Sequence, residues 1–104
     1  MNFHKYGAKP TTVDGIRFAS KKESIRYQEL KLLEKCKEIT NLVLQPTYEL
    51  EVNGKLICKY RPDFQYLSKK GELITEDVKG FRTPEYKIKR ALMEAIHGII
   101  ILET

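Results

Sequence analysis

The sequence predicts a mixed α/β (α+β) fold in which helices flank a central mixed sheet. Three observations predict it. A capping pattern, Ser20-Lys21-Lys22-Glu23, opens a segment with helical spacing; alternating apolar and polar residues then mark three strands; and Thr83-Pro84 opens a second helix ahead of the apolar run 99–102. The predicted order is helix, three antiparallel strands, helix, strand. A chain of 104 residues suits a single domain spanning 1–104.

Charge gives the first indication of a partner. Lysine and arginine number 19 against 14 acidic residues, a formal net charge of +5, which favours a polyanionic partner over a neutral one. A well-solvated basic surface explains the same charge. Residues 1–19 are predicted to be a basic arm that could lie along a phosphate backbone, with a disordered terminus as the alternative. Within them, Asp14-Gly15 indicates a tight turn and a small β excursion before the first helix.

The cysteines and the apolar runs bear on the compartment. Cys36 and Cys58 are far apart in sequence, and the N-terminal residues are polar and basic, unlike a signal peptide. We therefore expect a reduced, cytoplasmic protein, in a bacterial host cell if a phage encodes it. No apolar run approaches the roughly 20 residues that span a bilayer, so a membrane protein is not expected.

The first helix is predicted to run from Ser20 to about residue 36 or 37. Glu23 completes its capping box, in which a hydroxyl and a carboxylate satisfy free backbone amides. Glu29 falls inside the apolar stripe, so it must be paired, exposed at the stripe's edge or part of a site. The stripe is formed by Ile25, Leu32, Leu33 and Cys36, with Tyr27 and Leu30 on its flanks.

Three segments show the alternation that is typical of strands with one buried face: 42–52, 58–67 and 73–79. Pairing that keeps the apolar faces together requires connections of odd length. A three- or five-residue loop containing Gly71 provides one, and a three-residue loop with Gly54 in the left-handed conformation provides the other. Pro46 indicates that the first strand lies at a sheet edge or is bulged.

The same alternation of odd- and even-numbered residues places polar side chains on the face of the sheet away from the core. Asp63, Asp77 and Lys79 are predicted to share that face, whereas Glu76 points to the other side of the sheet. Gln45 joins them, where its amide would position a water molecule or a phosphate. An exposed polar strand residue is the alternative reading of Gln45.

The second helix is predicted from Thr83-Pro84 to about residue 96, with His97 as a C-terminal residue rather than a general base. The run 99–102 is predicted to be a strand buried on both faces and reached by a parallel β-α-β crossover. The inner seam of the helix consists of Ile88, Leu92 and Ile96, helped by Tyr86 and Met93. Positive charge near its N-terminal half favours phosphate contacts over a merely solvated face; the residues are Lys87, Lys89 and Arg90.

Pro62-Asp63 and Asp77-Val78-Lys79, in this order of elements, resemble the two half-motifs of the PD-(D/E)XK nuclease superfamily. The likeness covers roughly residues 20–102 and implies a restriction-endonuclease-like αβββαβ core. It is closest to small phage- and prophage-encoded members of uncharacterised function, which look similar in the Thr-Val-Asp-Gly, Ser-Lys-Lys-Glu, Leu-Gln-Pro and Glu-Asp-Val-Lys-Gly segments.

The resemblance implies a metal-dependent DNA endonuclease, selective for branched DNA or Holliday junctions in phage replication or recombination. Asp63 and Asp77 would hold Mg²⁺ or Mn²⁺, hard ions that prefer oxygen ligands. Glu23 would join them, because Holliday-junction resolvases of phage carry a similarly placed glutamate. Lys79 would orient or deprotonate water or stabilise the transition state. The residues expected to contact the DNA backbone are Lys21, Lys22, Lys87, Lys89 and Arg90.

Two alternatives remain at this point. A DNA-binding or recombination accessory protein would keep the fold without cutting DNA. The presence of Asp63, Asp77 and Lys79 together argues against such a decayed site. A subunit of a larger replication or packaging assembly would act only in complex. Junction resolvases of the superfamily are usually dimers, so a homodimer formed through the N-terminal arm or the first helix is a further expectation.

Overall fold

The computed structural model describes residues 9–104, and its mixture of helices and strands confirms the predicted fold class. The two helices are α1 (Lys21–Lys35) and α2 (Pro84–His97). The strands are β1 (Thr11–Val13), β2 (Ile16–Phe18), β3 (Ile39–Leu44), β4 (Tyr48–Val52), β5 (Lys55–Tyr60), β6 (Phe64–Ser68), β7 (Leu73–Asp77) and β8 (Leu102–Glu103). Neither helix within 9–104 is long and apolar enough to cross a membrane.

The main sheet has the strand order β3-β6-β7-β8. Its first three strands are antiparallel neighbours, and β8 pairs parallel with β7 after the α2 crossover, as predicted. Around this sheet the chain therefore runs helix, three antiparallel strands, helix, strand. The β1–β2 and β4–β5 hairpins form separate two-stranded sheets, and β4–β5 is inserted between the first and second strands of the main sheet.

Two of the predicted strands are each divided in two. Segment 42–52 separates into β3 and β4, and segment 58–67 separates into β5 and β6. Each break contains a proline, Pro46 or Pro62, which has no N–H to donate to a strand ladder. Gln45 adds a left-handed backbone, with φ of 50°. The chain therefore leaves the main sheet after β3, forms the β4–β5 hairpin and returns at β6.

The predicted pairing of β6 with β7 is confirmed. Phe64 lies opposite Glu76 and Leu67 opposite Leu73, so even-numbered residues face even-numbered ones. The connection between the last pair, residues 68–72, has five residues and contains Gly71 at φ +84°. Asp77 and Glu76 consequently point to opposite sides of the sheet.

Away from its tip, the β4–β5 hairpin pairs even-numbered residues with even-numbered ones, as predicted, but not through the predicted turn. Its turn is the two-residue Asn53-Gly54, with φ of 52° and 77°, instead of the expected three-residue loop. Such a turn would mix the two faces. A register shift compensates, because Leu50 pairs with Cys58 while Glu51 pairs with Leu56, leaving Ile57 as the extra residue of a bulge.

Within residues 9–104 the buried apolar residues form two clusters. The first lies beneath α1 and the β1–β2 hairpin and contains Phe18, Tyr27, Leu30, Ile39, Phe64 and Tyr66. The second joins the β4–β5 hairpin to α2 and contains Leu50, Tyr60, Tyr86, Met93 and Ile101. Because Phe18 is buried, residues 11–18 are part of the folded body and the predicted arm 1–19 is wrong over this stretch. The remainder of that arm, residues 1–8, lies outside the described residues.

The predicted buried face of α1 is wrong. Ile25 and Leu32 are exposed, at 47% and 62%, whereas Tyr27 and Leu30 are buried with Ser24. The reason is tertiary: Tyr27 and Leu30 are three residues apart on one face, and that face receives Phe18 from the β1–β2 hairpin. Ile25 and Leu32 are thereby left at the surface, whereas Leu33 packs against the edge of the first cluster.

The C-terminal elements also differ in part from the prediction. On α2, Ile88 is 62% exposed, while Tyr86 and Met93 are buried. The run 99–102 is not buried on both faces, because Ile100 is 75% exposed and β8 itself has only two residues. Ile101 alone in that run is fully buried, and it packs into the second cluster.

Candidate functional site

The structure brings Asp63, Asp77 and Lys79 together at one end of the β6–β7 pair. Asp63 immediately precedes β6, Asp77 ends β7 and Lys79 follows two residues later. The Lys79 ammonium lies 3.2 Å from Oδ2 of Asp77. Oδ2 of Asp63 accepts a hydrogen bond of 2.7 Å from the backbone N–H of Val78, which fixes the first carboxyl group beside the second.

Asp77 is buried, at 2% exposure, and its carboxylate is held from two sides. The hydroxyl of Tyr60 donates to Oδ2, the same oxygen that Lys79 approaches. Burial, and then the hydrogen bond to Asp77, raises the pKa of Tyr60, so the phenol keeps its proton and remains a donor. Tyr60 was not predicted from the sequence, although it stands directly before Arg61-Pro62-Asp63 at the end of β5.

The surroundings of Asp63 raise the pKa of its carboxyl group strongly. Burial is the largest cause, followed by hydrogen bonds to Asp77 and Glu23 and by their negative charges; together these raise its pKa to about 10. At neutral pH Asp63 therefore retains a proton. Clustered carboxyl groups that lack sufficient positive charge behave in this way, and a dication would favour the ionised form.

Glu23 shows one half of its predicted capping box, because its carboxylate accepts a hydrogen bond from the Ser20 hydroxyl and not from the Ser20 backbone N–H. Its backbone N–H donates to the hydroxyl oxygen of Ser20 at 3.1 Å, which confirms the helix cap. The Ser20 hydroxyl in turn donates to Oε2 of Glu23, also at 3.1 Å. Glu23 nevertheless lines the same cavity as Asp63 and contributes to its raised pKa.

The cavity beside Asp63 has a volume of about 160 Å³. This is small against the roughly 300 Å³ at which pockets for drug-sized ligands begin, but sufficient for an ion and a phosphate group. Its walls include the apolar side chains of Phe18 and Phe64. Its polar lining consists of Arg17, Glu23, Gln45, Arg61 and Asp63.

Gln45 reaches this cavity, although not as the strand residue that parity predicted. It follows β3, and its backbone N–H donates to the carbonyl of Asp63 at 3.0 Å. Arg17 and Arg61 were missed by the sequence reasoning. Arg61 carried a signal, since it is a basic residue next to Pro62-Asp63; Arg17, on β2, carried none that the sequence alone reveals.

A second, more open cleft of about 390 Å³ adjoins the first at Arg61, which lines both. Tyr60, Thr83, Glu85 and Tyr86 also line it. Its basic side chains are Lys59, Arg61, Lys79 and Lys89. Basic side chains outnumber acidic ones in this cleft, although Lys89 is paired with Glu85 at 3.1 Å, and Lys79 connects the cleft to the Asp77 carboxylate.

The other basic residues predicted to contact DNA divide into two groups. Lys22 lies near the site, because its ammonium group donates to the carbonyl of Lys79 at 3.3 Å; Lys21 is exposed in the same helical turn. Lys87 and Arg90 line a different depression, together with Ala91 and Ile100. Neither residue lines the cleft, and Arg90 is bound to Glu103 at 2.8 Å.

Glu76 belongs to the opposite side of the sheet, as parity predicted. It is fully buried, and its two oxygens accept hydrogen bonds of 2.7 and 3.0 Å from the Arg26 guanidinium. The hydroxyl of Tyr66 donates to it at 2.5 Å. Glu29 is largely exposed and is paired with the same Arg26 at 3.4 Å. Both acids therefore stand apart from Asp63 and Asp77.

The donor groups fit a hard divalent cation in chemical type. Asp63 and Asp77 are adjacent, and Glu23 borders Asp63, which offers carboxylate oxygens of the kind that Mg²⁺ and Mn²⁺ prefer. As they stand, no three His, Cys, Asp or Glu side chains in 9–104 are arranged to hold a metal ion. A third ligand from Glu23 would require its carboxylate to leave the Ser20 hydroxyl.

The fold and the site together define the class of protein. It is a mixed α/β domain that carries two acidic residues and a lysine at the end of the β6–β7 pair, beside a cleft with basic side chains. The chain belongs to the family described as "Protein of unknown function (DUF1064)", whose model matches residues 3–100. None of the curated proteins matches it.

Proposed function

We propose that this protein is a divalent-metal-dependent DNA endonuclease that hydrolyses phosphodiester bonds. The observation that carries the proposal is the placement of Lys79 3.2 Å from Asp77, with Asp63 beside them. The order of elements around the main sheet supports the same proposal, because it is the order that the resemblance to PD-(D/E)XK nucleases implies. Such a protein would act in the cytoplasm of a bacterial host during phage replication or recombination.

In this proposal Asp63 and Asp77 hold one or two Mg²⁺ or Mn²⁺ ions, with Glu23 as a further ligand. The ion would supply Lewis-acid stabilisation of the negative charge that develops at the scissile phosphate. Tyr60 fixes the Asp77 carboxylate by donating to one of its oxygens. Lys79 carries its positive charge beside Asp77, where it would orient the attacking water or stabilise the transition state.

Backbone binding is assigned to the basic path around the site. Arg61 lines both cavities, and Lys59 and Lys89 line the open cleft. Phosphate contacts position a nucleic acid without reading its sequence. We therefore propose that the substrate is recognised by shape and not by sequence, and the resemblance to phage Holliday-junction resolvases favours branched DNA or a Holliday junction.

The experiment is a cleavage assay of the purified chain on linear duplex, flap, branched and four-way junction DNA, with Mg²⁺ or Mn²⁺ and with chelator as the control. Cleavage that needs the metal and is fastest on branched substrates is expected. Binding of every substrate without cleavage under any metal would instead favour the DNA-binding accessory protein. Cleavage only after addition of partner proteins would favour a subunit of a larger assembly.

A further inference from the structure

Lys79 has a second neighbour besides Asp77. Its ammonium group lies 4.2 Å from the centre of the Tyr86 ring, while Oδ2 of Asp77 is 3.2 Å away. The ammonium is therefore held between a carboxylate and the face of an aromatic ring, two partners that both attract a cation. Only 23% of the Lys79 side chain is exposed, which limits the competition from water.

Tyr86 is itself held from several directions. It lies in the first turn of α2, where its backbone N–H donates to the Thr83 hydroxyl oxygen at 3.1 Å. Its ring is buried in the second cluster, 6.3 Å from the ring of Tyr60. Its hydroxyl donates to Oε2 of Glu103 at 2.7 Å. The ring consequently has little freedom to leave Lys79.

Glu103 is the fixed end of this chain of contacts. Besides the Tyr86 hydroxyl it accepts hydrogen bonds from Arg82 and Arg90, each at 2.8 Å. The Tyr86 hydrogen bond is the largest cause, followed by those of the two arginines, that lowers the pKa of Glu103 to about 2. Glu103 is therefore an anion throughout the neutral range and a constant acceptor for the phenol.

We propose that Tyr86 is the positioning residue that holds the Lys79 ammonium beside Asp77, and that Glu103 orients the Tyr86 ring for this task. This inference rests on the proposed nuclease function, in which Lys79 acts at the scissile phosphate. It gives α2 and β8 a part in the reaction, although neither element contributes a proposed metal ligand. A lysine without the ring would keep its charge but sample other positions in the open cleft.

The direct test is an NMR signature of the contact. Protons near the face of an aromatic ring resonate upfield, so the Lys79 methylene next to the ammonium should be shifted from the other lysines in protein labelled with [ε-¹³C]lysine. Lys79→Arg identifies the signal by its loss. Tyr86→Leu should return it to the position of exposed lysines, and Tyr86→Phe should retain most of the shift.

Kinetic measurements then distinguish the loss of Lys79 positioning from a general loss of protein stability. Displacing a reacting group by about 1 Å can cost roughly a hundredfold in rate, so Tyr86→Leu should lower kcat by about ten- to a hundredfold with little change in KM. Tyr86→Phe should lose less than about tenfold, since only the hydrogen bond to Glu103 is removed. Ile96→Ala, in the partly buried layer of the same cluster, is the control that lowers stability without moving the Lys79 signal.

If Tyr86→Leu does not fold, Glu103→Ala replaces it in the test, because this change keeps the Tyr86 ring and removes the acceptor of its hydroxyl group. Glu103→Ala removes the same hydrogen bond as Tyr86→Phe and also the acceptor of Arg82 and Arg90, so its Lys79 shift and its kcat should both be lower than those of Tyr86→Phe. An unshifted Lys79 signal in the wild type, or a shift and kcat unaffected by these changes, would overturn the proposal. A Lys79 shift that Tyr86→Leu abolishes, in a protein that cuts no DNA, would instead refute the nuclease function and leave the contact standing.

Discussion

Glu76 and Asp77 are neighbours in sequence, yet strand geometry gives them different surroundings. Glu76 is enclosed with Arg26 and Tyr66 on one side of β7, where it ties α1 to the main sheet. Asp77 meets Lys79 and Tyr60 on the other side. Alternation of side chains across a strand is sufficient to separate an acid with a structural ion pair from an acid at the site.

Glu23 can be divided between capping and metal binding by a pair of substitutions. Glu23→Gln removes a carboxylate ligand, and a neutral amide binds Mg²⁺ poorly. It should keep the melting temperature near that of wild type and lose most of the cleavage. Ser20→Ala is the matched change, because it removes the cap at a cost of about 1 kcal/mol but leaves the carboxylate.

Thermal unfolding and a cleavage assay measure the two effects separately. If Glu23→Gln cuts as well as wild type, Glu23 is only a capping residue. Glu29 does not then become an obvious replacement, because it lies at the surface beside Arg26.

Asp63 should make the metal-free protein less stable as the pH rises. Its pKa is raised in the folded state from 3.8 to about 10. A group whose folded pKa is raised contributes stability that is complete below the unfolded value and is lost as the pH climbs toward the folded value. Urea unfolding between about pH 5 and pH 9 should therefore show a fall in the free energy of unfolding that is smaller in Asp63→Asn. Parallel curves for the two proteins would show that Asp63 ionises normally.

At the scale of elements, the parts predictable from sequence were those set by local chemistry. The caps at Ser20 and Thr83 begin α1 and α2 where the sequence indicates, and each hydroxyl accepts the expected backbone N–H. The β6–β7 pairing was predictable up to the length of its connection, because alternation requires an odd-length loop; a three- and a five-residue loop both satisfied this, and the structure has five residues. That register brings Asp63, Asp77 and Lys79 together.

The parts that were not predictable depend on contacts between elements. Pro46 and Pro62 interrupt the strands, but nothing local shows that the segment between them leaves the main sheet. The bulge at Ile57 is visible only in the pairing. Leu30 and Leu32 of α1 are chemically alike, and only the packing of α1 against Phe18 and the main sheet decides that Leu30 is buried. Arg17 reaches the site by the same tertiary route.

The β4–β5 hairpin should be stabilised mainly by its contacts with α2. Leu50 is completely buried in the second cluster, so Leu50→Ala should cost about 2–5 kcal/mol. Leu56, on the paired strand, is 45% exposed and should cost within about 0.5 kcal/mol. Chemical denaturation of the two variants provides the comparison. Similar losses in both would mean that the hairpin is not docked through Leu50.

At the scale of the whole molecule, we expect DNA to contact the basic residues of the open cleft and not those of the depression that Lys87 and Arg90 line. Lys89 lines the cleft with Lys79 and Arg61, whereas Lys87, two residues earlier on α2, faces another depression. Each phosphate neutralised by a lysine adds about one unit to the slope of binding against salt. Lys89→Ala should therefore flatten that slope by about one unit, and Lys87→Ala should leave it unchanged.

Fluorescence anisotropy of labelled branched DNA at several salt concentrations measures both slopes. Equal flattening by the two changes would mean that DNA wraps around α2. Flattening by Lys87→Ala alone would move the DNA path to the depression that Lys87 and Arg90 line.

The most direct measurement is the rate of Mn²⁺-dependent cleavage of branched DNA by wild type, Asp77→Asn and Glu76→Gln, each normalised to the folded fraction. Glu76→Gln removes the charge of one partner of a buried ion pair, so it should be less stable by about 3–5 kcal/mol, and its folded fraction should still cut at nearly the wild-type rate. Asp77→Asn should remain folded and lose cleavage. Equal rates for wild type and Asp77→Asn, or a loss in Glu76→Gln as deep as in Asp77→Asn, would contradict the assignment of the site.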